Sequence, residues 1–169
     1  MQTPLPDGWG EFGVGAAGAT AALAGLLIVA ISVNVEKILA SRVATRGASS
    51  TIASLVLALV ASLLVLIPGQ TLQGVGIQLA VVLVPATALQ VGSLVAGAIE
   101  RRKGAAGITP AVLTAIAVLA ALQFAPFLTA VVMLLAGLSG GLAALAAGVV
   151  IVIIASMVTA WALLVEVLR

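Results

Sequence analysis

Of the 169 residues, 63% are hydrophobic and only 7% charged, with a mean hydropathy of +1.38, whereas soluble domains carry about 25% charged residues. A soluble chain of this length hides only about 70% of the surface it exposes when unfolded, so much of this apolar surface must meet lipid rather than water. The seven Lys and Arg do not make a nucleic-acid surface, which needs a basic stripe and stacking aromatics, and the absence of Cys and His removes thiolate and imidazole ligands and the usual proton shuttle.

From Met1 to Phe12 there are two acids, Asp7 and Glu11, and no Lys or Arg. A cleaved secretory signal needs a positive opening region, so the apolar run that follows is expected to be a retained helix. A hydrocarbon core of about 30 Å takes roughly 20 apolar residues in a helix, and five segments of that size follow one another. The first is expected from about Gly13 to Val35, with Trp9 and Phe12 at the interface where aromatics belong. The second runs from about Ser50 to Ile67 and is stopped by Pro68 and Gly69. The third, about Val75 to Ile99, closes on the charge run Glu100, Arg101, Arg102 and Lys103. The fourth opens at Pro110 behind the capping residue Thr109 and reaches about Ala136. A turn over Gly137, Ser139, Gly140 and Gly141 leads into the fifth, about Leu142 to Val165, with Trp161 near its end.

The positive-inside rule tests this division independently. Lys37, Arg42 and Arg46 follow the first helix, Arg101, Arg102 and Lys103 the third, and Arg169 the fifth, so all seven positive charges fall on one side. The expected fold is therefore all-α, a single membrane domain of five transmembrane helices with the N-terminus outside and the C-terminus cytoplasmic. A membrane β-barrel would alternate apolar and polar residues in segments of about ten, and these runs are apolar on every face.

Charged groups at the bilayer centre cost about 2.5–3.5 kcal/mol each, and none of the twelve charged residues sits at the centre of an expected helix. This argues against proton relays and ion coupling through an intramembrane carboxylate. In the first helix Gly15, Gly18, Ala22, Gly25, Val29, Ser32 and Glu36 recur at spacings of three and four, which places them on one stripe. Small residues there let another backbone approach closely, the way helices associate in lipid. The stripe can serve packing against a neighbouring helix. Alternatively, copies of the helix surround an axis, with Val29 as a hydrophobic constriction and Ser32, Asn34 or Glu36 as polar rings near the cytoplasmic mouth. Adjacent Glu36 and Lys37 point apart and cannot pair as residues three or four apart do, so they read either as a solvated interfacial cluster or as part of a cation-attracting ring.

The third helix holds Pro85 and Gln90, and the fourth Gln123 and Pro126. A mid-helix proline removes one backbone hydrogen bond, which membrane bundles tolerate when neighbours re-satisfy the carbonyl. Gln90 and Gln123 are candidates for hydrogen bonds between helices or for a midplane substrate site. No catalytic constellation appears, since a nucleophile needs an activating base and the chain has no His, no G-x-S-x-G frame and no paired acids on one helix face. No enzymatic activity, metal or cofactor is expected.

The stretch Trp9-Gly10-Glu11-Phe12, followed by the run from Gly18 through Gly25 to Ser32-Val33-Asn34, resembles an uncharacterised family of small bacterial multi-pass membrane proteins whose opening helix ends in a Ser-hydrophobic-Asn step. The likeness continues through Leu66-Ile67-Pro68-Gly69-Gln70 and covers about a third of the chain. It brings no activity but implies a bacterial cytoplasmic membrane. The first helix is also similar, in Ala22-Leu23-Ala24-Gly25 and Val29, to the pore helix of Orai calcium channels. Val33 stands where those channels carry their selectivity glutamate, and the charge pattern inserts this helix the opposite way.

Three functional expectations follow. The first is a homo-oligomeric ion channel or pore lined by the first helix. The second is a non-conducting scaffold or regulator that packs the same stripe against another membrane protein. The third is a small-solute transporter using Gln90 or Gln123.

Overall fold

The computed structural model describes residues 4–40, 42–102, 104 and 109–167; Lys103 and Arg169 of the basic set lie outside them. Among the described residues there are six helices, α1 (Trp9–Val33), α2 (Val35–Ala40), α3 (Arg42–Leu64), α4 (Leu72–Arg102), α5 (Pro110–Leu135) and α6 (Gly140–Val167). Five of them contain stretches long and apolar enough to cross a membrane, and the short α2 is the exception.

Helix ends depart from the apolar runs for identifiable reasons. The first helix starts at Trp9, four residues before the apolar run, behind Gly8 in a left-handed conformation (φ 87°). It stops at Asn34, whose N–H donates to Ile31 O at 3.1 Å, and the chain resumes as α2. The second spanning helix ends at Leu64 rather than at Ile67. Proline disfavours helical geometry at the residue before it, and Pro68 has no N–H to offer the Leu64 carbonyl. Gln70 Nε2 supplies a donor there at 3.4 Å and also donates to Gln78 Oε1 at 2.7 Å. Thr71 caps α4 through its Oγ1, which accepts from Gly74 N at 3.1 Å. The 31 residues of α4 make a helix of about 46 Å, well beyond the hydrocarbon thickness.

Between α5 and α6 the chain turns through Gly137 (φ 74°). Leu138 N donates to Met133 O and Gly137 N to Leu134 O, both at 2.9 Å, the paired pattern of a Schellman ending that requires a left-handed residue. Gly137 is needed twice over, because a Cβ there would also lie 2.9 Å from Gln73 Nε2.

The helices close a ring in the order α1, α3, α4, α5, α6, with α3 also packed across on α6. The core is densest where α5 turns into α6. A Cβ on Gly76 would lie 3.0 Å from Leu134 Cβ and 3.1 Å from Leu135 N; one on Gly141 would lie 2.9 Å from Leu134 N; one on Gly148 would lie 3.0 Å from the Phe127 ring. Backbone therefore meets backbone or ring directly, the close approach that small residues permit in lipid. At the other end of the α4–α5 pair, a Cβ on Gly97 would lie 3.5 Å from Leu113 Cδ1. These two antiparallel contacts set a register that puts Pro85 of α4 level with Pro126 of α5. From that level toward the basic end the packing thins. There α4 buries only Ala86 and Gln90, and α5 only Ala120, among the residues whose burial is described.

Candidate functional site

The first candidate site is a face of α1. At about 100° per residue, the buried positions Gly13, Ala16, Thr20, Leu27, Ala30 and Asn34 form one side of the helix, against α3 and α6. Thr20 is satisfied within its own helix, donating from Oγ1 to Ala16 O at 2.6 Å, so it enters the core without an orphaned hydroxyl. Gly15, Gly18, Ala22, Gly25, Val29 and Ser32 lie on the opposite side and are exposed. A Cβ added at Gly15, Gly18 or Gly25 would meet nothing within 4 Å. Among the described residues the stripe's glycines thus have open space over them, and the helix packs internally through a second set of small residues half a turn away.

The polar residues at the basic end of α1 separate. Ser32 Oγ donates to Ile28 O at 2.8 Å and stays on the exposed face. Asn34 is only 6% exposed and donates from Nδ2 to Ala30 O at 3.1 Å, which puts it on the inward side with Ala30. Glu36 is exposed, in the first turn of α2. Val29, Ser32 and Glu36 therefore remain on the outer side, and Asn34 does not join them.

The second candidate site is a crevice of about 250 Å³ on the α3–α4 seam, lined by Ser49, Ser50, Leu89, Gly92, Ser93 and Ala96. Gln90, buried at 9% exposure, accepts a hydrogen bond from Ser50 Oγ at Oε1 and so ties α3 to α4 beside the crevice. Ser49 Oγ donates to Thr45 O at 3.0 Å and Ser93 Oγ to Gln90 O at 2.7 Å. These hydroxyls have spent their protons on carbonyls and present lone pairs to the crevice. The Gln90 amide nitrogen makes no hydrogen bond among the described residues. On α5, Gln123 is half-buried and makes no hydrogen bond among the described residues, so no hydrogen bond joins the two glutamines.

Ser93 stands out in the sequence as a polar residue of the third helix, but Ser49 and Ser50 were not among the candidate site residues. Ser49, Ser50 and Thr51 open the second apolar run as what looks like ordinary interfacial polarity, and only the α3–α4 register sets Ser50 against Gln90. The fold and both sites define a multi-pass helical bundle of the kind built for a bilayer. Compared with protein-family models, curated proteins and solved structures, the chain matches none.

Proposed function

We propose that this chain is a subunit of a homo-oligomeric pore in a bacterial cytoplasmic membrane, with the N-terminus outside, the basic end in the cytoplasm and α1 as the assembling and lining helix. The carrying observation is that the Gly15, Gly18, Ala22 and Gly25 face points away from the bundle with open space over every glycine. The exposed surface of α4, by contrast, includes the large side chains Ile77, Val81, Val84, Val91 and Val95. A Gly and Ala face gives lipid little to pack on, whereas a second helix can approach it closely. Val29 (56% exposed), Ser32 and Glu36 continue the same face toward the cytoplasm, in the order of a constriction followed by polar rings.

Purified protein in liposomes is expected to pass monovalent cations, and Glu36→Gln to lower cation preference. Gly25→Leu adds a side chain into open space, so it should reduce the oligomeric mass without unfolding the chain. No current together with a monomeric mass in native mass spectrometry refutes the proposal. A second reading, a non-conducting partner of another membrane protein, draws on the inward position of Asn34, which leaves Ser32 and Glu36 as the polar groups at the basic end of that face among the described residues. Crosslinks from Gly18 to a different protein, with none between copies, would select it.

A further inference from the structure

We propose that the basic-end halves of α4 and α5, from Pro85 to Arg102 and from Pro110 to Pro126, form one arm that swings about the level of the two inner prolines, Pro85 and Pro126, and so opens and closes the seam with α3. The inference does not depend on α1 forming a pore, since α1 stands opposite α4 and α5 in the ring.

The hinge comes from sequence and register together. Pro85 and Pro126 each lie inside a helix, and each removes the hydrogen bond to the carbonyl four residues back, on Val81 and Leu122. One such gap is a place where a single helix bends. The register set at Gly76 with Leu134 and at Gly97 with Leu113 brings both gaps to one level. The two helices therefore bend about a shared axis without sliding past one another.

Packing differs on the two sides of that axis. Before Pro85, α4 buries Leu72, Val75, Gly76, Leu79 and Leu83; after Pro126, α5 buries Phe127, Ala130, Val131 and Leu134. In the arm, Thr114 to Leu119 are all exposed. Successive residues about 100° apart take that stretch round the whole helix, so none of its faces is held by the bundle. Its position is set from its ends, by the hinge at one and by Leu113 at the other, where a Cβ on Gly97 of α4 would lie 3.5 Å from Leu113 Cδ1. That contact joins the two halves of the arm, which move together.

The seam with α3 is thin. It carries the hydrogen bond from Ser50 Oγ to Gln90 Oε1 and, beside it, the crevice of about 250 Å³. A single hydrogen bond between membrane helices is weak, so the open and closed positions differ little enough in free energy for both to be populated. Opening brings Gln90 from burial to the bundle surface.

The chain has no Cys, so cysteine pairs at exposed positions can carry spin labels on the full chain in nanodiscs, with distances read by electron paramagnetic resonance. Ile52→Cys with Val95→Cys spans the seam, Val95→Cys with Ile116→Cys lies within the arm, and Leu63→Cys with Ile77→Cys spans α3 and α4 in the dense half; all five positions are exposed. Two distances are expected across the seam and one in each of the other pairs. Gln90→Leu should raise the ratio of the longer to the shorter seam distance about threefold, the weight of one hydrogen bond between membrane helices. Pro85→Ala with Pro126→Ala restores both helical hydrogen bonds and should leave a single seam distance; Pro85→Ala alone, at an exposed position, should lower the share of the longer one and serves if the double variant folds poorly. Gly25→Leu on α1 should leave all three pairs unchanged, so failure of the pore and failure of the hinge read out separately. A single seam distance in wild type and Gln90→Leu alike overturns the proposal. So does a seam distribution that the proline variants leave unchanged, or two distances in either of the other pairs.

Discussion

Where α5 turns into α6, glycines sit against backbone and ring, with Gly76 on Leu134 and Leu135, Gly141 on Leu134 and Gly148 on Phe127; toward the basic end, a Cβ on Gly47 or Gly92 would meet nothing within 4 Å. The same residue type therefore serves close packing at one end and leaves open surface at the other. The consequence is an uneven bundle: one half is held by contacts no larger residue could make, and the other carries the crevice and the unpartnered continuation of the α1 face. Pro85 and Pro126, level with each other, mark the boundary. Each removes a helical hydrogen bond where α4 and α5 pass from dense to sparse packing.

Substitutions can break or sharpen this contrast. The largest loss is expected from Phe127→Ala, since the ring is fully buried against Gly148; about 3–5 kcal/mol should disappear from the unfolding free energy measured by titration from mild into denaturing detergent. Next comes Gly76→Leu, which forces side chain into the Leu134 and Leu135 backbone and should cost about 1–3 kcal/mol in the same titration. Gly137→Ala follows, with both a left-handed φ and the Gln73 amide against it; about 1–3 kcal/mol should appear as a lowered thermal midpoint in nanodiscs. Gln90→Leu removes the partner of Ser50 in the sparse half, and a double-mutant cycle with Ser50→Ala should return about 1 kcal/mol or less of coupling. The smallest effect belongs to Gly92→Ala, which should be neutral or stabilise by up to about 1 kcal/mol through helix propensity alone. A loss there comparable to that of Gly76→Leu would erase the distinction between the two halves.

The crevice shows why the candidate sites were only partly legible. Gln90 stands out in the sequence as an amide in an apolar helix, but its partner Ser50 lies forty residues away and resembles ordinary interfacial polarity. In α1 the limit is different. Gly13, Ala16, Thr20 and Ala30 form one small-residue side and Gly15, Gly18, Ala22 and Gly25 the other, and nothing in their chemistry says which side meets the rest of the bundle. A soluble helix declares its inner face by polarity; in a bilayer both faces are apolar and the declaration is absent.

The sequence by itself determined that the chain has five apolar spans, that every Lys and Arg falls on one side of them, and that a glycine-rich turn joins the last two. These are properties of local composition and backbone preference, set by the cost of placing charge or unpaired backbone in hydrocarbon. Only the tertiary structure decided that Asn34 breaks the first helix and turns inward, that one glycine stripe faces out while another faces in, that Pro85 and Pro126 share a level, and that Ser50 and Gln90 meet at a crevice. Each of these depends on rotation and register between helices, and register is set by which backbones approach closely rather than by hydropathy.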